Sequence, residues 1–179
     1  MNTSLRDELL QRRERDQAVR TATSYGQPMT EQAQQEWDQV DRDNTRFLKE
    51  VIAEHGWPGR DLVGDDGSQA AWLFAQHADH DVAFQRHCLD LLQEAAAAGQ
   101  AELSHVAYLT DRVCVADGLP QLYGTQYHEP DGRLQPRPIE DLDHLDQRRA
   151  QMGLGPHAAY DQHMHEQYDP PQEQPREQP

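Results

Sequence analysis

Residues 71–88, AWLFAQHADHDVAFQRHC, decide how this chain is read. Leu73, His77, His80, Phe84, Cys88 and Leu91 recur at helical spacing, the mark of one continuous helix over about residues 69 to 98. Polar residues interrupt that face: His77 and His80 stand within the row, and Gln76 and Asp81 border it. The segment is therefore either a chemical centre or a polar helix face in a histidine-rich protein.

On either side of this segment the chain is punctuated as helices. Ser68 reads as the N-cap of the long helix, and Gly99, after EAAAA, as its end. The preceding GRDLVGDDG (59–67) reads as a loop. It fails as a calcium site because Val63 occupies a ligand position and no glutamate closes the loop. Further upstream, Thr30 caps a helix to about Glu54, with Trp37, Val40, Phe47, Leu48 and Val51 in period. HGWPG ends it, with Gly56 as the terminating glycine and Pro58 forbidding continuation. Ser4 with Asp7 resembles a capping box for a first helix of about 5 to 22, stopped by SYGQP.

Downstream, residues 102–116 form a fourth helix closed by Gly118. Short β-prone runs flank EPDG (129–132), a hairpin whose prolines limit its pairing. A short helix over about 141–152 follows. The fold expected is mainly α, an irregular bundle of about four to five helices with a small β-hairpin near residues 121–139. Residues 1–155 form one domain. The Gln/Pro/His-rich remainder, 156–179, is poor in aliphatic side chains and reads as a largely disordered tail.

Composition narrows the partners. The 179 residues carry a formal net charge of −16, which repels phosphate backbones and anionic membranes, so neither nucleic acid nor membrane is an expected partner. Cys88 and Cys114 stand among apolar residues without ligand spacing, as reduced buried thiols do. The charged N-terminus has no apolar export segment, and the protein is expected in the cytoplasm.

Helical wheels place a polar residue inside each apolar stripe. Asp16 continues the line of Leu5, Leu9 and Arg12; Asp41 and Asn44 lie between Trp37 and Leu48; Asp111 lies between Tyr108 and Val115. A bundle would bring these groups together, and buried charge must be paired, hydrogen-bonded or bound to metal. Three explanations follow. One is an active site, with His77 as acid or base, Asp81 orienting it and Asp41 or Asp111 as a second acid. Another is a metal site of His77, His80 or Asp81 with Asp41 and Asp111; the ExxH pairs of di-iron carboxylate proteins are missing from these helix centres, as is HExxH, which weakens it. In the third, every group is a hydrogen-bonded structural residue.

The segments DRDNTRFLKEVIAEHGWPGRDLVG, AAWLFAQHADHDVAFQRHCLDLL, AYLTDRVCVADGLPQLYGTQY and GRLQPRPIED, in this order, resemble a bacterial family common in actinomycetes, domain of unknown function 6624. The likeness spans about residues 5–155. Its recurring elements fall on Asn44, Gly56, Trp57, Pro58, Gln76, His77, Asp79, Asp81, Gln85, Asp111, Arg112, Gln121, Tyr123, Gly124, Thr125 and Gln126, and leave out His80. The resemblance implies a fold and a motif set but no reaction.

The reading adopted is a small soluble enzyme using His/Asp acid-base chemistry on a small polar metabolite or peptide, by hydrolysis or elimination. His77, Asp81, Asp41 and Asp111 are the expected catalytic residues. Asn44, Gln76, Asp79, Arg112, Tyr123, Thr125 and Gln126 are the expected substrate contacts, with Arg112 suited to an anionic group. No cofactor is required, a divalent metal being the minor variant. A non-catalytic interaction or regulatory protein and a metal-dependent bundle enzyme are the alternatives.

Overall fold

A computed structural model of the chain describes residues 1–21, 29–130 and 132–168. The helices are α1 (Thr3–Thr21), α2 (Glu31–His55), α3 (Arg60–Gln76), α4 (Val82–Ala97), α5 (Leu103–Ala116), α6 (Leu145–Gln151) and α7 (His157–Tyr168), with a 3-10 turn at Leu142–His144 before α6. Strands β1 (Tyr127–His128) and β2 (Gln135–Pro136) pair antiparallel, Tyr127 facing Pro136 and His128 facing Gln135. The mainly α fold with a small hairpin is as expected. Among the described residues no helix is long and apolar enough to cross a membrane.

Helix α3 is the centre of the bundle. Its Ala70, Ala71, Phe74 and Ala75 are all fully buried, as is Ala78 just beyond it. The small side chains let α1, α2, α4 and α5 approach closely, and Phe74 fills the space between them. Full burial of a side chain of that size contributes about 1.5–3 kcal/mol. Leu9 of α1, Leu48 of α2, Cys88 and Leu92 of α4 and Leu109 of α5 complete the core. Neither cysteine is in a disulfide, and burial pushes the Cys88 thiol up to about 12.

The helix ends follow local chemistry. Thr30 caps α2, its side chain accepting from Ala33 N. Gly56, at φ 73°, ends the same helix and donates its N–H to Ile52 O at 2.9 Å. Helix α1 is capped by Asn2, whose Oδ1 accepts from Leu5 N at 3.1 Å, and Ser4 lies inside the helix. Residues 59–67 are not an open loop. Helix α3 begins at Arg60, is interrupted where Gly64 takes φ 75°, and resumes so that Ser68 is a buried helical residue.

Two further corrections bear on function. The long helix expected over 69–98 is two helices, broken at residues 77–81. His77 takes the C-cap of α3, and Asp81 is the N-cap of α4, accepting from Phe84 N at 3.1 Å. Gln85 holds the break: its Nε2 donates to Ala75 O at 3.2 Å, to Gln76 O at 3.1 Å and to Asp79 Oδ1 at 3.0 Å. Among the described residues Ala75 O otherwise has only a long backbone bond from Ala78 N, at 3.4 Å, and Gln76 O lies at the helix end where carbonyls lose their helical partners.

The second correction concerns the expected tail, whose first part is ordered as α7. Polar and aromatic contacts hold α7 in place of an apolar stripe. Tyr127 Oη donates to Asp161 Oδ1 at 2.8 Å, Tyr160 Oη donates to Thr125 O at 3.3 Å, and the Arg149 guanidinium lies 5.2 Å from the Tyr160 ring centre. Residues 169–179 of the expected tail lie outside the described residues.

Candidate functional site

The break between α3 and α4 turns His77 toward α1 and α2. Its Nδ1 lies 2.8 Å from Oδ1 of Asp16, a carboxylate with no solvent exposure. Asp16 Oδ2 also accepts from Gln17 Nε2 at 2.9 Å and from Arg20 Nε at 3.2 Å, and Arg20 Nη2 reaches Asp16 Oδ1 at 3.3 Å. Arg20 sits one turn after Asp16 on α1, stacks 4.3 Å over the Trp37 ring of α2, and hydrogen-bonds Asp41 one turn further along α2. Helical periodicity thus supplies both carboxylates and the guanidinium between them.

The charges follow from these contacts. Burial opposes ionisation of Asp16, but His77 and Arg20 outweigh it and hold the carboxyl below the ordinary range. Burial depresses the His77 imidazole, with Asp16 pulling the other way. The resulting state at neutral pH is a neutral ring that donates Nδ1–H to the Asp16 carboxylate, the tautomer this acceptor selects. Among the described residues Nε2 has no hydrogen-bond partner. Asp41 is pushed up to about 6 by burial, against the pull of Arg20 and with the aid of nearby Asp16.

His77 and Asp41 line a cleft of about 280 Å³ with Trp37, Asp38, Asp79 and His80. Asp16, Asp41 and His77 each offer a ligand atom within 4.8 Å of the others, the one such group found among the described residues. Arg20 already spans the two carboxylates, so a cation there would have to displace it.

The other expected site residues fall into separate places. Asp79 forms a two-point pair with Arg112, Oδ1 to Nε and Oδ2 to Nη2, both at 2.7 Å. Burial opposes the ionised form of Asp79, but Arg112 holds the carboxyl below its ordinary range. Beyond the pair, Gln76, Arg112, Thr125 and Gln126 line a second cavity of about 320 Å³. Asn44 is buried beside a different groove between α1 and α2.

Asp81 does not orient His77: it caps α4 and accepts from Lys49 Nζ at 2.6 Å. Asp111 is not a second acid of the His77 cleft. Fully buried, it accepts from Leu122 N at 2.7 Å and Tyr123 N at 2.9 Å on one oxygen, and from Thr125 N and Oγ1, both at 2.9 Å, on the other. Burial pushes its carboxyl up, yet only the ionised form accepts at both oxygens as the four donors require. We therefore read Asp111 as ionised. Its role is to anchor the Leu122–Thr125 turn, to which Tyr123 contributes its backbone.

The sequence reading placed Asp16 on an inward stripe without assigning it, and did not single out Arg20. Trp37 was read as core. Gln121, fully buried, locks the turn: it accepts from Gln126 N at 2.8 Å and donates to Gln126 O at 3.0 Å and Arg137 O at 2.9 Å.

Fold and site together define a mainly α protein in which a broken helix sets a histidine against a buried carboxylate. The model of a family of unknown function, DUF6624, matches residues 3–170, and the chain belongs to that family. The match takes in α7 as well as the segments quoted above. No curated protein and no solved structure matches the chain.

Proposed function

We propose that this protein is an enzyme acting on a small polar substrate by general acid-base chemistry, hydrolysis or elimination, with His77 Nε2 as the proton acceptor. One observation carries the reading: a buried carboxylate takes the Nδ1–H of His77, while Nε2 has no partner among the described residues on a ring that lines a cleft. A carboxylate in that position fixes the tautomer and orientation of the ring and stabilises the imidazolium formed when Nε2 takes a proton. Asp16 thus takes the positioning role first expected of Asp81. Asp41 is the second acid, protonated below about pH 6. Around the cleft Asp38, Asp41 and Asp79 stand against Arg42, with Arg20 and Arg112 paired to two of the acids, a near balance of charge that suits a neutral polar group.

The test is to incubate the full chain with a metabolite extract and with panels of small esters and amides, following consumption by mass spectrometry. His77→Gln should abolish turnover while the variant still unfolds cooperatively. Turnover should decline as pH rises through about 6, where Asp41 loses its proton, and again at acid pH, where His77 gains one. Undiminished turnover in His77→Gln removes His77 from the chemistry.

A divalent-metal enzyme is a second reading, favoured by the ligand atoms of Asp16, Asp41 and His77 lying within 4.8 Å of one another. Elemental analysis of purified protein distinguishes it: one tightly held equivalent that Asp16→Asn removes would replace the acid-base account.

A further inference from the structure

We propose that the cavity between α5, the hairpin and α7 is a binding site for a planar ring bearing a carbonyl or carboxylate oxygen. Tyr108 and Tyr127 supply aromatic walls, and Met164 adds a polarisable apolar contact. Such surfaces take up flat, apolar bodies and pack against their faces or edges. The volume, about 320 Å³, suits a single substituted ring.

The polar groups define the rest of the ligand. Gln76 is only 5% exposed, lines this cavity, and its Nε2 finds no hydrogen-bond partner among the described residues. A buried amide donor without an acceptor is costly, and turning the Gln76 amide about its last bond brings Nε2 to the cavity, where a ligand oxygen relieves that cost. Arg112 adds its guanidinium. Two of its nitrogens face Asp79, and the third is bonded only to Gln126 Oε1, at a long 3.3 Å. No acidic side chain lines the cavity among the described residues, in a chain whose Asp and Glu outnumber its Lys and Arg by 32 to 16. The cavity therefore presents donors and aromatic faces to a ligand that brings an acceptor.

Gln76 is held where it is by the break at His77. The carbonyl of Gln76 accepts from Gln85 Nε2 at 3.1 Å, so the backbone that carries the donor is fixed independently of any ligand. The site is preformed in this sense, which lowers the ordering cost of binding.

The test uses benzamide and benzoate as ring probes, with cyclohexanecarboxylate and acetate as controls, titrated into the full-length chain and followed by NMR. Benzamide or benzoate at millimolar concentration should shift the Gln76 side-chain amide and the Tyr108 and Tyr127 ring signals, and the controls should not. Gln76→Leu should weaken the ring probes about tenfold, the loss expected for one hydrogen bond to a buried donor. If Gln76→Leu does not fold, Tyr108→Leu, which replaces one aromatic wall of the same cavity, serves, with weakening of the ring probes expected there too. Absence of shifts at these residues, equal shifts with cyclohexanecarboxylate, or unchanged affinity in a folded variant each overturns the proposal. The readout is binding, so its failure leaves the proton-transfer reading of His77 standing.

Discussion

Asp16→Asn tests the centre of the site at a single atom. The carboxylate is fully buried and accepts from His77, Gln17 and twice from Arg20. Asparagine keeps the shape but has one acceptor and one donor where the carboxylate has two acceptors. If its oxygen faces His77, its NH₂ meets the donors of Gln17 and Arg20. If the oxygen faces Arg20, the NH₂ meets Nδ1, and His77 must carry its proton on Nε2, which removes the proton acceptor proposed above. Breaking a fully buried pair costs about 3–5 kcal/mol, but Arg20 keeps Asp41 and one acceptor survives. The expected loss is about 2–3 kcal/mol, the upper part of the range for one hydrogen bond to a charged group. Urea denaturation at unchanged m-value reads the loss, and ¹⁵N-detected titration of His77 reads its tautomer and proton affinity. Without Asp16, burial and the nearby Arg20 and Arg112 act on His77 unopposed, so its pKa should fall below that of the parent. A loss under about 0.5 kcal/mol, within the range of ordinary surface substitutions, together with an unchanged or raised His77 titration, refutes the pairing.

Two other outcomes follow from the same contacts. Asp111→Ala strands four donors of the Leu122–Thr125 turn; since each buried unsatisfied group costs about 1–3 kcal/mol, a loss of at least about 3 kcal/mol is expected. Hydrogen exchange should show Leu122, Tyr123 and Thr125 amides losing protection first; retained protection there contradicts the anchoring role. His105, stacked on Trp72 with ring centres 4.1 Å apart, is depressed by burial from 6.5 to about 4. Between those values the unfolded chain binds the proton and the native chain does not, so stability contributed above about 6.5 is lost as pH falls toward 4. The slope approaches about 1.4 kcal/mol per pH unit for one proton. Asp41, pushed up to about 6, acts in the opposite sense over part of this window, so the test is a difference: the stability of His105→Phe relative to the parent should rise as pH falls from about 6.5 to about 4, and a pH-independent difference rejects the assignment.

The parts of the fold legible in the sequence are those fixed by local signals. Thr30 and Gly56 bracket α2 because a hydroxyl cap and a left-handed residue act within one turn. The hairpin could be located because EPDG separates two short β-prone runs, and its prolines kept each strand to two residues. The break at residues 77–81 was hidden by coincidence of phase. Leu73, Phe84 and Cys88 keep helical spacing across it, although two separate helices carry them. The available signal was Asp81 directly before Val82 and the apolar run, the position of an N-cap. Asp16 was legible as inward-facing but not as the partner of His77, because that contact joins residues 61 apart and depends on α1 packing against α3. Helix α7 escaped because Tyr160, Asp161 and their partners hold it, and such contacts leave no apolar period to read.

The break also explains why adjacent residues serve two different cavities. Within a continuous helix Gln76 and His77 would point about 100° apart, and each would face whichever neighbour lay on its side of the bundle. Ending α3 at Gln76 leaves His77 in cap geometry, at φ −89° and ψ 3°, with its ring against Asp16 while Gln76 stays on the α5 side. Asp79, three residues after Gln76, then spans the two: it lines the His77 cleft and holds Arg112, which lines the other cavity. Gln85 ties the arrangement together by bonding the carbonyls of Ala75 and Gln76 and the carboxylate of Asp79 at once. A change at Gln85 would therefore loosen the His77 ring and the cavity beside Gln76 together, although it lines neither.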